Sequence, residues 1–401
     1  MGFISGNPPL TRPDATFAVP TEIKYGIGKV GNLTVELQLA PDLAERTRLA
    51  VFTDAGVAAA GLLDVVRQAF ADSDYTIVAV MDDVPAESDT EFVKRAAAKL
   101  NEAQVSLIVA VGGGSVMDTA KISAVIAAYG GEAGEYEGGF MVPGPITPIL
   151  AIPTTVGTGS EVTLAAVVKD NVQRRKLTIA SPFLFPRMAI LDPNMVATLP
   201  ARLVAWTGFD ALTHAIEAYS CVEREPISAA LALSAIELIA DNLEAAVREP
   251  GPTEARAKMQ YAATMAAMAF SNSPVGAVHA IAHSVGALFG VHHGLSNSIA
   301  LPFVMEFNLP AVATYYAAVA RAMGIADTGQ STEALATAAI AAVRELKQRC
   351  GVPMQYREVG VPTDADTAAA ITDLTLEDIC LSFNPVKGER EDILALVMRT
   401  L

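Results

Sequence analysis

From residue 21 to about 198 the chain alternates short apolar runs with amphipathic stretches, and beyond Leu199-Pro200 that alternation stops. The runs at 48–53, 75–80, 106–111 and 148–152 are rich in Val, Ile, Leu and Ala, and helical patterns lie between them at 56–71, 88–102 and 115–130. Such alternation builds βαβ units. Near-continuous apolar runs are what a parallel strand needs when helices cover both of its faces. Val162 to Ala180, split by the polar 169–175, reads as a hairpin added to that sheet. After residue 200 the sequence turns to alanine-rich helical stretches near 201–221, 226–248, 253–270, 275–288, 295–307, 310–323 and 331–350, with shorter ones to the end. The expected architecture is therefore an N-terminal arm over 1–20, an α/β nucleotide-binding domain with a Rossmann-like open parallel sheet over 21–198, and an all-helical metal-binding domain over 199–401. A cleft between two such domains is the usual place for a site.

Composition excludes several classes of function. The formal charge is −16, which makes nucleic acid a poor partner and disfavours anionic membrane surfaces. No run of eighteen apolar residues lacks a charge or a turn former, and the first twenty residues have no basic and apolar segment of the secretory kind. Three cysteines, Cys221, Cys350 and Cys380, are odd in number and lack zinc-clip spacing, which fits a reducing cytoplasm.

Two glycine-bearing loops follow strand-like runs. Gly112-Gly113-Gly114-Ser115 leads from a strand into a helix, where small residues let a diphosphate approach the backbone and the free amides of the helix start favour its charge. The spacing is not Gly-x-Gly-x-x-Gly, so the standard dinucleotide fingerprint does not apply. Pro153-Thr154-Thr155-Val156-Gly157-Thr158-Gly159 is a second loop, dense in hydroxyls and amides, and reads as another wall of the same pocket. Asp54, at the end of another strand, can accept from an adenosine ribose and repel a 2′-phosphate, which favours NAD over NADP; the same position suits a helix N-cap.

All five histidines fall between His214 and His293. Asp210 and His214 are four residues apart, as are His279 and His283, and on a helix that spacing stacks side chains on one face. With His293 they suggest a divalent metal held by Asp210, His214, His279 and His293. A set of one Asp and three His suits Fe2+ and also accepts Zn2+, which binds more tightly by the usual order. His283, one turn from His279, is expected to face the same cavity and move protons. His292 is expected to be a satisfied core histidine.

At these residues the chain resembles the iron-activated, group III alcohol dehydrogenase family. The motifs that carry the resemblance are Gly-Gly-Gly-Ser-x-x-Asp-x-Ala-Lys at 112–121, Ile-Pro-Thr-Thr-x-Gly-Thr-Gly-Ser-Glu-Val-Thr at 152–163 and Gly-x-Asp-Ala-Leu-x-His-Ala-x-Glu-Ala-Tyr at 208–219. His-Ala-x-Ala-His-x-x-Gly at 279–286 and His-Gly-x-x-Asn-x-x-x-Leu-Pro at 293–302 complete the set. The resemblance implies dehydroquinate synthase-like architecture and the same four metal ligands. It places NAD contacts on Asp54, Gly113, Gly114, Ser115, Asp118, Thr154, Thr155, Thr158 and Lys176, and a mobile histidine at His283. It also implies dimers or higher homo-oligomers, paired through an N-terminal strand that Thr21 to Gly26 can supply. Two departures stand out: a long N-terminal arm, and a segment at 380–385 that matches the family's Asn-Pro-rich stretch only loosely.

The expected activity is reversible hydride transfer between a small alcohol, or its aldehyde or ketone, and NAD, with the metal as Lewis acid on the substrate oxygen. A hydroxyacid–oxoacid transhydrogenase with tightly held NAD is the alternative within the fold, and a metal- and nucleotide-binding module without turnover is the alternative outside enzymes. A dehydroquinate synthase would need basic residues for its anionic substrate, and 275–300 contains no Lys or Arg.

Overall fold

The computed structural model describes residues 15–173 and 175–401. The expected arm lies outside the described residues up to position 14. Two compact units emerge, one of residues 19–199 with 251–253, the other of 200–250 and 254–401 together with 15–18. In the second unit Ala18 donates to Asn272 Oδ1 at 2.8 Å and accepts from Asn272 Nδ2 at 3.3 Å.

The first unit runs β1 (Glu22–Tyr25), α1 (Leu33–Gln38), β2 (Arg48–Phe52), α2 (Ala55–Ala59), α3 (Leu62–Ala69), β3 (Thr76–Met81), α4 (Thr90–Glu102), β4 (Leu107–Gly112), α5 (Gly114–Tyr129), β5 (Gly138–Gly139), β6 (Ile149–Pro153), β7 (Ala165–Asp170), β8 (Arg175–Ala180) and β9 (Met188–Leu191). Six strands form a parallel sheet in the order β1-β9-β6-β4-β2-β3. Strand periodicity sorts its side chains onto two faces. Leu49, Val51, Leu107, Val109, Leu150 and Ile190 pack with Leu33, Leu37 and Val66 on one face. Ala50, Phe52, Ile108, Ala110, Ile149 and Ala151 pack with Phe92, Leu100 and Val116 on the other. Every residue of β4 is buried, which accounts for its unbroken apolar run.

Several expectations need correction. The hairpin of β7 and β8 does not extend the main sheet. It forms a second, three-stranded sheet, β5-β8-β7, because its apolar residues Ala166, Val168, Leu177 and Ile179 pack against Val93 and Ala97 of α4 and Ile122 and Val125 of α5. The helix expected over 56–71 is two helices, broken at Gly61 with φ of 78°, a left-handed conformation that glycine adopts without a Cβ clash. The four-residue β9 is too short for the apolar pattern to have marked it.

The second unit is helical throughout: α6 (Ala201–Ser220), α7 (Pro226–Arg248), α8 (Glu254–Phe270), α9 (Ala277–Phe289), α10 (His293–Ala322), α11 (Thr332–Arg349), α12 (Ala365–Glu377) and α13 (Arg390–Thr400). The stretches expected at 295–307 and 310–323 are one helical run with a break at Val312, whose φ of −130° is not helical. Pro310 lies two residues before, and its missing N–H removes one bond of the ladder. Helix α6 is buried on nearly all sides from Val204 to Ser220. Gly208 permits this closeness, since a Cβ there would stand 2.4 Å from Leu243 Cδ1 of α7. Among the described residues no helix is long and apolar enough to cross a membrane.

One feature of this unit works against its stability. Lys347 on α11 is wholly buried and its Nζ has no hydrogen-bond partner among the described residues. Burial pulls its pKa down to about 7 from the ordinary 10.5. Between those values the unfolded chain binds more protons than the folded one, so this residue's penalty is fully present below pH 7 and fades as pH rises through the window. Lys347→Met, which keeps the length and loses the amine, is expected to stabilise the protein by about 1–3 kcal/mol at neutral pH. Urea denaturation at pH 7 and at pH 9 should give a smaller gain at the higher pH.

Candidate metal centre and nucleotide cradle

Three helices of the second unit converge on one point. Helix α6 presents Asp210 and His214, α9 presents His279 and His283, and the start of α10 presents His293. A ligand atom from each of Asp210, His214, His279 and His293 lies within 4.8 Å of the others. His214 Nε2 and His293 Nε2 are 3.9 and 3.7 Å from Asp210 Oδ1. Gly294 allows α10 to start this close to α6, since a Cβ there would sit 2.6 Å from the Trp206 carbonyl oxygen. The ring of His214 stacks between Phe270 and His279, with centroids 4.3 and 4.7 Å away, which fixes its plane.

The chemistry of the set fits a cation. Asp210 Oδ1 accepts from the side-chain amide nitrogen of Asn297 at 2.7 Å, and His279 Nε2 and His293 Nε2 lie 3.1 and 3.2 Å from the same nitrogen, so the three potential donor atoms converge on one point. Asp210 Oδ2 is buried and has no hydrogen-bond partner among the described residues. A buried carboxylate oxygen in that condition is costly unless a cation takes it.

Behind the set stands Glu217, one further turn along α6 and fully buried. Its Oε2 is 2.6 Å from His279 Nδ1, and its Oε1 accepts from the Val278 amide at 2.7 Å. Burial pushes the Glu217 carboxyl up to about 7, against the pull of the Val278 and Gly276 amides. Burial also holds His279 down to about 3, so its imidazole is neutral at physiological pH. With its proton on Nδ1 facing Glu217, the ring offers Nε2 as the ligand atom. Glu217→Gln would keep the amide contact through its remaining oxygen but aim an N–H at His279 Nδ1, favouring the wrong tautomer. Metal affinity is expected to fall roughly 10–100-fold. Competitive chelator titration checks this, while the melting temperature of the metal-free protein should barely move.

His283 is partly exposed at the edge of the cluster, its ring stacked on His293 with centroids 5.4 Å apart. Its Nδ1 is 2.8 Å from Asp378 Oδ2. Burial raises the Asp378 carboxyl, but the neighbouring His283 and the amide of Cys380 outweigh that and hold it well below the ordinary carboxylate range. His292 does not belong to the core as expected. It is exposed, at the N-cap position of α10, with its ring against Trp206 at 5.2 Å.

Sequence reasoning passed over Glu217, Asn297 and Asp378. The first two stand inside the quoted motifs, three residues after His214 and four after His293, and that spacing places each near its ligand. Asp378 carries no such signal. It reaches His283 only through the return of the chain after α12. That return is fastened where the 380–385 segment looked least familiar. Asn384 exchanges amide hydrogen bonds with Asn308 at 2.9 and 2.8 Å and accepts from the Ala277 amide at 3.2 Å.

The first unit holds the loops. Gly113 and Gly114 open α5 with no side-chain cap on its first turn. They also meet the second loop closely: a Cβ on Gly113 would stand 2.9 Å from Thr155 Cγ2, and one on Gly114 2.9 Å from Thr158 Cγ2. Thr154 joins the loops by donating its amide to the Gly112 carbonyl at 3.0 Å. Ser115 turns its hydroxyl to the Ala86 carbonyl. Asp118 braces the cradle from behind, its oxygens accepting from Ser160 Oγ at 2.7 Å and the Val167 amide at 3.0 Å. Nearby Lys121 is wholly buried and donates to Ser160 Oγ, Thr163 O, Thr163 Oγ1 and Ala165 O within 2.9–3.0 Å, and burial lowers its pKa to about 8. Lys176 sits on β8, 3.4 Å from Glu87. Asp54 does cap a helix: Oδ1 accepts from the Val57 amide at 2.9 Å.

Comparison with known proteins gives matches over nearly the whole chain. The family described as iron-containing alcohol dehydrogenase matches residues 20–193, and its C-terminal counterpart matches 204–401. The NAD-dependent methanol dehydrogenase of Bacillus methanolicus is 34% identical over 385 residues, covering 96% of this chain and 99% of that protein. Lactaldehyde reductase of Escherichia coli K12 is 34% identical, covering 93% and 96%. Among solved structures, that of a 1,3-propanediol oxidoreductase superposes with a TM-score of 0.91 at 33% identity, covering 97% of this chain and 100% of the other.

Proposed function

Because the chain belongs to the iron-containing alcohol dehydrogenase family, with metal-dependent, NAD-linked oxidation of alcohols as its activity, we propose specific roles for its residues and a small primary alcohol or aldehyde as its substrate. The observation that carries this reading is the clustering of donor atoms from Asp210, His214, His279 and His293 within 4.8 Å, together with an Asp210 Oδ2 that has no hydrogen-bond partner among the described residues. When bound, the metal supplies Lewis-acid polarisation of the substrate oxygen, and NAD serves as hydride acceptor or donor. Asp210, His214, His279 and His293 would hold the ion, Fe2+ by preference and Zn2+ as an alternative. One carboxylate and three neutral imidazoles leave it a net positive charge. Fe2+ accepts more than four donors, so four protein ligands would leave it room for a substrate oxygen. Glu217 fixes the tautomer of His279. His283, braced by Asp378, takes up the hydroxyl proton in oxidation and returns it in reduction.

In this reading the amides of Gly113, Gly114 and Ser115 hold the diphosphate, and Thr154, Thr155 and Thr158 line the facing wall, with Asp118 and Lys176 beside them. Asp54 keeps one carboxylate oxygen for its cap and turns the other to the adenosine ribose. Asp54→Ser retains a capping hydroxyl and removes the charge that repels a 2′-phosphate. The NADP efficiency of this variant is expected to rise roughly tenfold to a hundredfold, the equivalent of about 1–3 kcal/mol. Steady-state rates with both cofactors check it, and a wild type that already prefers NADP would refute it.

The protein is further proposed to be a cytoplasmic homodimer. Among the described residues β1 is an edge of the main sheet, and Tyr25 at its end and Ile27 just after it are 70% and 79% exposed. An apolar sheet edge of this kind is normally covered. The deciding experiment for the whole reading is an assay with purified protein, one equivalent of Fe2+, NAD and a panel of primary alcohols, followed at the nicotinamide absorbance. No turnover with any alcohol, despite full metal and NAD binding, would reject it.

A further inference from the structure

We propose that His283, Asp378 and Cys380 form a second, inhibitory cation site, selective for a thiophilic divalent ion such as Zn2+. A nitrogen, an oxygen and a sulfur donor from the three residues all lie within 4.8 Å of one another. A tetrahedral zinc ion, with bonds of about 2.0–2.3 Å, spans donors separated by roughly 3.3–3.8 Å, so only small side-chain adjustments are needed. All three residues are partly exposed, whereas Asp210, His214 and His279 are buried.

The donors stand on a fastened frame. Before the cluster, Ser284 Oγ and Thr375 Oγ1 tie α9 to α12 at 3.1 Å. Within it, Asp378 Oδ1 accepts from the Cys380 amide at 2.8 Å. After it, Asn384 is joined to Asn308 and to the Ala277 amide that starts α9. A pre-set trio of donors loses little conformational freedom when an ion enters.

Donor type sorts the ions. The Asp210 centre contains oxygen and nitrogen only, which suits Fe2+ as well as Zn2+, while a thiolate in the second set favours zinc. On binding, the His283 Nδ1 proton shifts to Nε2 and the Cys380 thiol proton leaves to solvent. The Asp378 carboxylate and the thiolate then bring two negative charges against the two positive charges of the ion. That local neutrality limits repulsion of the catalytic cation, although the His283 ring is only 5.4 Å from that of His293. A zinc ion here would immobilise His283. This loss of turnover rests on the proton-carrying role proposed above; the binding does not.

The test uses holoenzyme carrying one equivalent of metal. Equilibrium dialysis against Zn2+ should give a second equivalent in wild type and none in Cys380→Ser. With Co2+ as the probe, a thiolate-to-cobalt charge-transfer band in the near ultraviolet should accompany the second equivalent, since the first centre has no sulfur. The band should vanish in Cys380→Ser, whose other cysteines, Cys221 and Cys350, are buried. Excess Zn2+ should inhibit wild type, reversibly by chelator, and spare the variant. A single equivalent in wild type, or a second equivalent that survives Cys380→Ser, overturns the proposal. Alcohol oxidation at one equivalent with no second equivalent refutes only this site. A second, Cys380-dependent equivalent in an enzyme that oxidises no alcohol supports the site and rejects the proposed function.

Discussion

His279→Ala is expected to purify as a folded protein that holds no metal and oxidises no alcohol at a measurable rate. Of the proposed ligands His279 has the most support behind it: it is 3% exposed, its Nδ1 is 2.6 Å from Glu217 Oε2, and its ring stacks on His214. The variant loses one ligand and the alignment of a second together. Metal catalysis of this kind supplies several kcal/mol, so losing the ion costs roughly a thousandfold or more in rate. The helices around α9 bury enough apolar surface to tolerate one truncation, though Glu217 is left without its partner. His293→Ala is the gentler companion, because the His293 side chain is 29% exposed and its removal opens little buried space. Elemental analysis and circular dichroism separate the outcomes. Full metal occupancy in both variants, with the fold intact, would overturn the ligand assignment.

The clustering of Asp210, His214, His279 and His293 was legible because helical geometry turns a spacing of four into a shared face, and Asp210–His214 needs nothing beyond α6 to be adjacent. What joins the pair to His279 and His293 is tertiary: three helices must cross at one point, and only the crowding of five histidines into eighty residues hinted at that. Glu217 and Asn297 show where local reading stops. Each sits near a ligand by spacing, but whether a buried polar side chain serves the ligand or the core depends on which helix packs opposite. For Asp378 no local pattern exists, since 95 residues separate it from His283.

The α/β unit was readable for a different reason. A strand covered on both faces must be apolar throughout, so β2, β4 and β6 announce themselves, and loops at strand ends follow from them. The edges did not. Strand β9 spans four residues, and the hairpin of β7 and β8 has the alternation of a strand pair without any record of which sheet it joins. Its partner was decided by the apolar surfaces of α4 and α5, a packing outcome invisible in the hairpin itself. Asp118 illustrates the same point at one residue. Its motif marks it for the cofactor, while its two oxygens hold Ser160 and Val167.

His283→Ala is expected to keep its metal, bind NAD and lose most of its turnover. The residue stands one turn after His279 and stacks on His293, yet its Nδ1 is committed to Asp378 at 2.8 Å rather than to the ligand set. In the proposed reading Asp210, His214, His279 and His293 are the protein's share for an Fe2+ ion that keeps a further position for substrate. With Nδ1 held by a carboxylate, Nε2 is the nitrogen left to exchange a proton. General acid–base assistance contributes about 10²–10⁴-fold, and a loss of that size is expected in alcohol oxidation, where the hydroxyl proton has to depart. Asp378→Asn should reproduce part of the loss while leaving the imidazole in place, since an amide no longer anchors the ring by charge. Metal content, NAD titration and pH–rate profiles distinguish the readings. A variant that loses its metal would make His283 a ligand, and one with unchanged turnover would leave it only a packing role against His293.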